Sequence, residues 1–191
     1  MHDVSFGVST GTVTALVGRE ASGKSAIVRC VLGELRPERG RVAVLGIDPR
    51  RDRRAIRRRI RFDETEGEVR LDTNPPTILR LTTVPGRAAA ADRVGFLKEG
   101  RIVAEDALPL LLSRFRRIRY VNEVTETRTE YGTELDLFDA VRVKVRGSSV
   151  DAVVSNFDGA LFERFRSTEG VHDARAEPMS LGEIFAAVVG R

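Results

Sequence analysis

The segment GREASGKS, residues 18–25, limits the folds open to this chain more than any other part of its sequence. It follows the β-branched apolar run TVTALVG at 12–18 and precedes residues 25–35, where apolar side chains recur at helical spacing. This pattern predicts a buried strand, a tight turn and an amphipathic helix in direct succession. A buried strand that leads straight into a helix is typical of α/β folds.

The residue types in this turn suit the binding of a polyphosphate. Gly18 and Gly23 permit backbone angles and close approaches that a side chain would block. The amide groups of the loop and of the following helix N-terminus point towards phosphate oxygens. Lys24 is spaced to reach the outer phosphates, and Ser25 to ligate a bridging Mg²⁺ ion. The predicted nucleotide-binding residues are Gly18, Arg19, Glu20, Ala21, Ser22, Gly23, Lys24, Ser25 and Ala26.

A glycine turn that binds nothing is the alternative interpretation of the same residues. The apolar strand before the motif and the amphipathic helix after it favour the binding interpretation, because a phosphate cradle needs both. Glu20 adds a negative charge inside the loop, which argues against tight binding of phosphate.

Composition excludes several other classes of protein. Hydrophobic residues make up 41% of the chain and charged residues 31%, which is enough apolar material for a folded core. No run approaches the roughly 18 apolar residues of a membrane span, and we expect no secretory signal in the first residues. Cys30 is the single cysteine and there are two histidines, so neither an internal disulfide nor a histidine-rich metal centre is expected.

Positive charge is concentrated in RRDRRAIRRRIR, residues 50–61, which contain eight arginines. A nucleic-acid surface would need aromatic residues for stacking or an extended basic face, and only Phe62 is near. We therefore expect a solvated helix face, with a membrane partner or anionic lipid as the alternative contact. We expect no nucleic-acid partner.

Elements predicted up to residue 115 would build a shortened P-loop nucleotide-binding domain, residues 1–115. The segment 61–76 is polar and predicts a loop with one short strand at 68–71. The predicted strands are 4–8, 12–18, 41–47 and 77–84, with a hairpin at 94–105 that turns at Glu99 and Gly100, and the predicted helices are 25–35, 52–60, 87–92 and 107–115.

The chain changes character at about residue 116, where a basic segment predicts a linker face. Strands are then expected at 139–147, 151–157 and 171–178, and amphipathic helices at 158–168 and 179–189. This order indicates a small α+β accessory domain, residues 116–191. The fold class predicted for the whole chain is α/β, a truncated P-loop NTPase core with a small C-terminal α+β domain.

Several stretches outside the loop share a further pattern. LRPERGRV at 35–42 fits L-x-P-x-x-G-x-V, and LGIDP at 45–49 fits L-G-x-D-P. TILRLTTV at 77–84 precedes the hairpin, and EPMSLGEIFAAVVG at 177–190 lies near the C-terminus. Together with the phosphate loop, these stretches resemble the ATP-binding subunits of ABC transporters, of the type that serves ABC-2 exporters. The resemblance covers about residues 1–60 and 77–191.

The resemblance implies a function for the chain. It would be an ATP-binding subunit with ATP and Mg²⁺ as cofactors, coupling ATP binding to a membrane permease. It would then be cytoplasmic and peripheral at the inner face of the membrane, and a homodimer is left open. One alternative is a non-catalytic regulatory or interaction protein with a relic P-loop, and another is a small P-loop phosphotransferase.

The resemblance fails at the residues that perform hydrolysis in the family. The helical subdomain and its L-S-G-G-Q signature have no counterpart, since the space between residues 60 and 77 cannot hold them. No Q-loop glutamine occurs near Phe62, and Thr83 occupies the position of the switch histidine. Hydrolysis is therefore expected to be slow, and no catalytic residue is assigned.

Two carboxylates compete for the role of Mg²⁺ ligand. In VRLDTNP, Asp72 is the candidate for the metal-ligating aspartate, with Thr73 where the catalytic glutamate belongs. The rival is IRFDE, with Asp63 and Glu64. A solvated loop charge is the alternative for each of them. The predicted metal ligands are Ser25 and Asp72.

Overall fold

The computed structural model describes residues 4–123 and 135–190. The chain divides into two compact units, Met1–Leu108 and Pro109–Arg191. The assignment of residues 1–115 to a nucleotide-binding domain and of 116–191 to an accessory domain stays a prediction. In the described part of the chain, no helix has the length and apolar character that a bilayer span requires.

The first unit is built on a six-stranded sheet with the order β2-β3-β4-β1-β5-β6. The central strand β1 runs parallel to β4 and β5, and the other neighbours are antiparallel. Its elements are β1 (Val13–Gly18), α1 (Lys24–Val31), α2 (Arg53–Arg59), β2 (Ile60–Asp63), β3 (Glu68–Leu71), β4 (Thr77–Thr82), a 3-10 turn (Pro85–Ala88), β5 (Arg93–Lys98) and β6 (Arg101–Ala107).

One apolar cluster joins the sheet of the first unit to its helices. Leu16 of β1 packs in this cluster with Ile27 and Val28 of α1 and with Ile56 of α2. Both helices therefore lie against the same face of the sheet. Helix α1 ends four residues earlier than predicted because Gly33, with φ +69°, follows the C-cap and reverses the chain direction.

The second unit holds an antiparallel sheet with the order β10-β7-β9-β8. The helix between β9 and β10 packs on this sheet through an aromatic core in which Tyr120 meets the Phe165 ring edge-on at 5.0 Å. The elements are α3 (Leu108–Arg114), β7 (Arg116–Asn122), a 3-10 turn (Asp136–Phe138), β8 (Ala140–Arg146), β9 (Ser149–Val154), α4 (Gly159–Arg166), β10 (Val171–Pro178) and α5 (Leu181–Val188). The predicted α/β fold class is confirmed.

Three predicted elements of the first unit were wrong. Residues 4–8 form no strand, although Phe6 and its apolar neighbours pack on the core. The stretch 41–47 contains only an isolated bridge between Val44 and Ile47. The helix predicted at 87–92 is replaced by the 3-10 turn, which starts at Pro85. In the first two stretches, alternating apolar residues reflect burial of an irregular chain rather than pairing in a sheet.

Two strands were not predicted, because charged residues interrupt the alternation of apolar and polar residues in them. Strand β7 was predicted as a linker, yet Ile118 and Tyr120 are buried while arginines occupy alternate positions. Strand β2 was predicted as loop, and only Ile60 of its four residues is buried. Strand β2 lies at the edge of the sheet, and charged side chains are typical of edge strands because they hinder pairing with another chain.

Candidate phosphate-binding site

The loop between β1 and α1 forms a compact turn. The amide of Ser22 donates to the carbonyl of Arg19 over 3.2 Å, and Ala21 and Gly23 both adopt positive φ, +58° and +109°. Gly23 is the N-cap of α1, and no side chain caps the helix. The first amides of α1 therefore lack a side-chain acceptor, which is the condition for anion binding at a helix N-terminus.

Lys24 reaches back across this loop. Its ammonium group donates to the carbonyls of Gly18 at 2.7 Å and Arg19 at 2.6 Å, and more weakly to Ser22 Oγ at 3.3 Å. Partial burial lowers the pKa of Lys24, and the carboxylate of Glu20 opposes this shift. The two short bonds fix the position of the ammonium group, so its charge is directed into the loop without a ligand present.

Gly18 is confined on two sides. A Cβ atom at this position would clash with Ser22 Oγ and approach the carbonyl oxygen of Leu97 to 2.8 Å. The amide of Gly100 also donates to the carbonyl of Ser22 over 2.9 Å. Sequence analysis found the turn at Gly100 but missed these contacts, because the pairing of β1 with β5 is not visible in the sequence.

The structure brings the predicted nucleotide-binding residues together, and part of the loop is open to solvent. Arg19, Glu20, Ala21 and Ser25 are exposed. Gly18 and Ser22 are buried, and Gly23, Lys24 and Ala26 are intermediate. The exposed Ser25 hydroxyl at the start of α1 leaves room for a metal ion and its water ligands.

Asp72 does not lie with Ser25. It follows β3, which is antiparallel to β4, and Leu71 pairs with Thr77 at the start of β4. The phosphate loop lies at the opposite end of the sheet. It is about 16 Å from Asp72, as calculated from the rise per residue of a β-strand. The structure therefore places the two predicted metal ligands, Ser25 and Asp72, at opposite ends of the sheet, because the direction of β3 is the reverse of what the prediction requires.

The rival carboxylate, Asp63, closes the turn between β2 and β3. It accepts hydrogen bonds from the Thr65 hydroxyl at 2.5 Å, the Thr65 amide at 2.9 Å and the Glu66 amide at 3.2 Å. These bonds, that of the hydroxyl first, lower the pKa of Asp63. Strand β2 is three positions from β1 in the sheet, roughly 14 Å. Asp63 therefore has a structural role in this turn.

Glu68 is a buried carboxylate of the sheet that sequence analysis missed. Its side chain accepts from Arg80 Nε at 2.7 Å and lies 2.6 Å from Arg80 Nη2. Both nitrogens contact the same oxygen, Oε1, and this ion pair balances the charge of the glutamate. Glu68 and Arg80 are opposite each other on β3 and β4, and this pair of opposite charges is the signal that could have revealed the buried glutamate.

Thr82 ends β4 beside Val17 of β1, so Thr83, the predicted counterpart of the switch histidine, follows directly at the strand end next to the loop. A threonine hydroxyl cannot provide the proton chemistry of an imidazole near neutral pH. Within residues 4–123 and 135–190, no cluster of three or more His, Cys, Asp or Glu side chains suits a metal ion.

Known proteins are similar to this chain in the region of the phosphate loop. Residues 1–78 match the family model described as ABC transporter. This part of the chain is similar to the ABC transporter family. The match contains β1, the phosphate loop, α1 and α2, and it supports an ABC nucleotide-binding domain here, as the sequence predicted.

Curated relatives of the ABC family align over the same region. The cytochrome c biogenesis ATP-binding export protein CcmA of Agrobacterium fabrum is 50% identical over 44 residues, 23% of this chain and 21% of the relative. The Nod factor export ATP-binding protein I of Bradyrhizobium diazoefficiens is 36% identical over 78 residues, 39% of this chain and 26% of the relative. The aligned segments thus span about a fifth to a quarter of these relatives.

A solved structure, titled "Structure of ATP binding subunit of ABC transporter", superposes with a TM-score of 0.47 at 15% identity. The superposition covers 59% of this chain and 85% of that one. At this level of similarity it carries no argument, and the likeness to the ABC transporter family rests on residues 1–78.

Proposed function

We propose that this chain is an ATP-binding subunit that holds ATP and Mg²⁺ at residues 18–26 and couples nucleotide binding to a membrane permease. The observation that carries the proposal is the position of Lys24. Its ammonium group is held by two carbonyls of the loop, beside a helix N-terminus that no side chain caps. Both features concentrate positive potential at one point, where a polyphosphate supplies the missing acceptors.

Different residues of the loop would bind the phosphate groups and the Mg²⁺ ion. Amides from Gly23 to Ala26 would donate to phosphate oxygens, and the weak contact of Lys24 with Ser22 Oγ is the one that a phosphate oxygen would replace. The exposed hydroxyl of Ser25 would hold Mg²⁺ together with phosphate oxygens and water, because Mg²⁺ keeps several water ligands in nucleotide sites. Bound Mg²⁺ would offset the phosphate charge. Glu20 would weaken the binding, since it brings a negative charge to the loop.

The coupling to a permease is proposed from the family. Two relatives are named ATP-binding export proteins, and the similarity of residues 1–78 to the ABC transporter family model supports this part of the proposal. The chain would accordingly act at the inner face of the membrane, alone or as a homodimer, with a membrane permease as its partner.

Equilibrium binding of ATP with Mg²⁺, measured by calorimetry, tests the site. Wild type should bind, and Lys24→Ala should bind roughly 10- to 150-fold more weakly, the scale of a lost charged hydrogen bond. Lys144→Ala is the matched control, because Lys144 is an exposed lysine on β8 of the other unit. Thermal unfolding of each variant shows whether the fold is kept.

Equal behaviour of wild type and Lys24→Ala would overturn the proposal and make the loop a relic. The second candidate, a non-catalytic regulatory or interaction protein, would then be favoured. One observation already points towards it: Asp63 and Asp72 lie away from the loop, and Glu68 is paired with Arg80.

A further inference from the structure

Positive charge in this chain is localised rather than spread. Residues 50–61 contain eight arginines and one aspartate, whereas all 191 residues together have a formal net charge of only +4. The rest of the chain therefore carries a net negative charge. A partner that this segment attracts is anionic, and the net charge of the remainder does not add to that attraction.

The fold turns this segment outward. Ile56 is 0% exposed and anchors α2 in the core, and Asp52 caps the helix by accepting from the Ala55 amide at 2.9 Å. Arg54 and Arg58 lie one turn apart, on the side of the helix opposite Ile56 at 3.6 residues per turn. Both are exposed. The anchor therefore fixes which arginines point away from the protein.

Some of the arginines are already neutralised. Arg53 and Arg57 each lie 3.5 Å from Glu34, and Arg50 lies 3.0 Å from Asp48. The other five are exposed, and none forms an ion pair with another described residue. We call these five the arginine surface: Arg51, Arg54, Arg58, Arg59 and Arg61.

We propose that the arginine surface binds the headgroups of an anionic phospholipid bilayer. Clusters of four to eight basic residues are attracted to such membranes, at about 1 kcal/mol per residue. Helix α2 is seven residues long, about 10 Å, and Arg54 and Arg58 lie one turn apart on its outer side, where a flat layer of phosphates can meet both.

A nucleic acid fits the arginine surface less well. Single strands need stacking platforms along an extended groove, and the aromatic residue next to this segment is Phe62, alone and 36% exposed. A duplex needs an extended basic face, whereas α2 is only about 10 Å long. A membrane touches only the patch that faces it.

Sedimentation with lipid vesicles, in the absence of nucleotide, tests the proposal. The full chain should bind vesicles of phosphatidylcholine mixed equally with phosphatidylglycerol, and should not bind pure phosphatidylcholine. Binding should fall as salt screens the charges. Arg54→Gln with Arg58→Gln should weaken binding roughly 30-fold, the product of two contributions at the membrane surface.

The matched control is Arg142→Gln with Arg146→Gln, which removes the same charge from exposed positions on β8. It should change binding less than about threefold. If thermal unfolding shows that the α2 variant is misfolded, Arg51→Gln with Arg61→Gln tests the same surface outside the helix. Lys24→Ala should bind vesicles like wild type, so this proposal and the proposed ATP site succeed or fail separately.

Three results would overturn the proposal. The first is that wild type sediments equally with neutral and anionic vesicles, or with neither. The second is that the two arginine variants lose affinity equally. The third is that a short duplex DNA binds more tightly than vesicles through the same arginines. The first result would mean that the protein has no site for anionic lipid. The second would mean that binding depends on the net charge of the protein and not on the arginine surface. The third would mean that the arginine surface binds nucleic acid.

Discussion

The amide of Gly100 donates a hydrogen bond of 2.9 Å to the carbonyl oxygen of Ser22, which links the hairpin turn between β5 and β6 to the phosphate loop. Gly18, at the other end of the loop, pairs in the sheet with Leu97 of β5. The loop is therefore braced by the strand beside it as well as by the strand and helix that it connects. Such bracing keeps a binding loop in shape before its ligand arrives.

Gly18→Ala should destroy the loop. The added Cβ would meet Ser22 Oγ and the carbonyl of Leu97, so the chain must shift at a buried position. We expect a loss of about 1–3 kcal/mol in the free energy of unfolding, as for overpacking, and loss of ATP binding. Gly86→Ala is the control, because a Cβ there meets nothing within 4 Å. Chemical denaturation measures the stability and calorimetry the ATP binding. Unchanged ATP binding in Gly18→Ala would show that the contacts of the loop with β5 are not needed for binding.

Ser25→Ala and Asp72→Asn should behave differently. Ser25 begins α1 beside the loop, whereas Asp72 lies at the far end of the sheet, where its amide donates to Arg59. We expect Ser25→Ala to weaken ATP binding roughly tenfold with Mg²⁺, and little with EDTA, the scale of one lost polar contact. Asp72→Asn should match wild type in both conditions. A Mg²⁺-dependent defect in Asp72→Asn would show that the strand order of the sheet differs in the nucleotide complex.

The contrast between Lys24 and Asp72 shows what the sequence can predict here. The phosphate loop is a local structure, so the spacing of Gly18, Gly23 and Lys24 within a strand, turn and helix was enough to bring its residues together. The position of Asp72 depends on whether β3 runs parallel or antiparallel to β4. That direction is set by the short link 72–76 between β3 and β4, which is too short for the crossover that a parallel pair needs, and the prediction for Asp72 did not take this length into account.

Strand β7 shows a second limit. Its buried residues Ile118 and Tyr120 alternate with arginines, which pair across the sheet: Arg119 Nε, for example, lies 3.3 Å from Asp151. Such cross-strand partners are distant in sequence, so the segment was predicted as a linker. The hairpin at Glu99 and Gly100 was predicted because a turn with two positive φ values has a strong local preference for glycine.

ATP turnover should be slow. Thr83 stands where a histidine would act, Asp63 is engaged in a turn, and Glu68 is paired with Arg80. Loss of a general base lowers the rate by about 10²–10⁴, so a typical turnover near 10 per second should fall to about 0.1 per second or less. Phosphate release from wild type, with Lys24→Ala as background, measures it. Turnover of several per second that Lys24→Ala abolishes would mean that a base reaches the loop from elsewhere.

The C-terminal helix should show a pH-dependent contribution to stability through Glu183. Ser180 and Glu183 form a capping box at α5, in which the Glu183 carboxylate accepts from the Ser180 amide at 2.9 Å and its hydroxyl at 2.8 Å. These bonds, followed by the charges of Arg117 and Arg119, lower the pKa of Glu183. A carboxylate whose pKa is lower in the folded state stabilises the fold above the ordinary pKa of 4.5, and this is lost as pH falls through the folded value.

Glu183→Gln isolates that contribution, since glutamine can close a capping box but does not titrate. Above about pH 5 wild type should be more stable by a constant amount of less than about 1 kcal/mol, because the side chain is largely exposed. The difference should shrink as pH falls below 4.5, the ordinary value for this group. Ser180→Ala should cost about 1 kcal/mol and reduce the pH-dependent part, because one of the two bonds to the carboxylate is removed. Urea denaturation between pH 3 and pH 7 measures these differences, and a constant gap between wild type and Glu183→Gln over this range would show that the ionised carboxylate adds nothing to the cap.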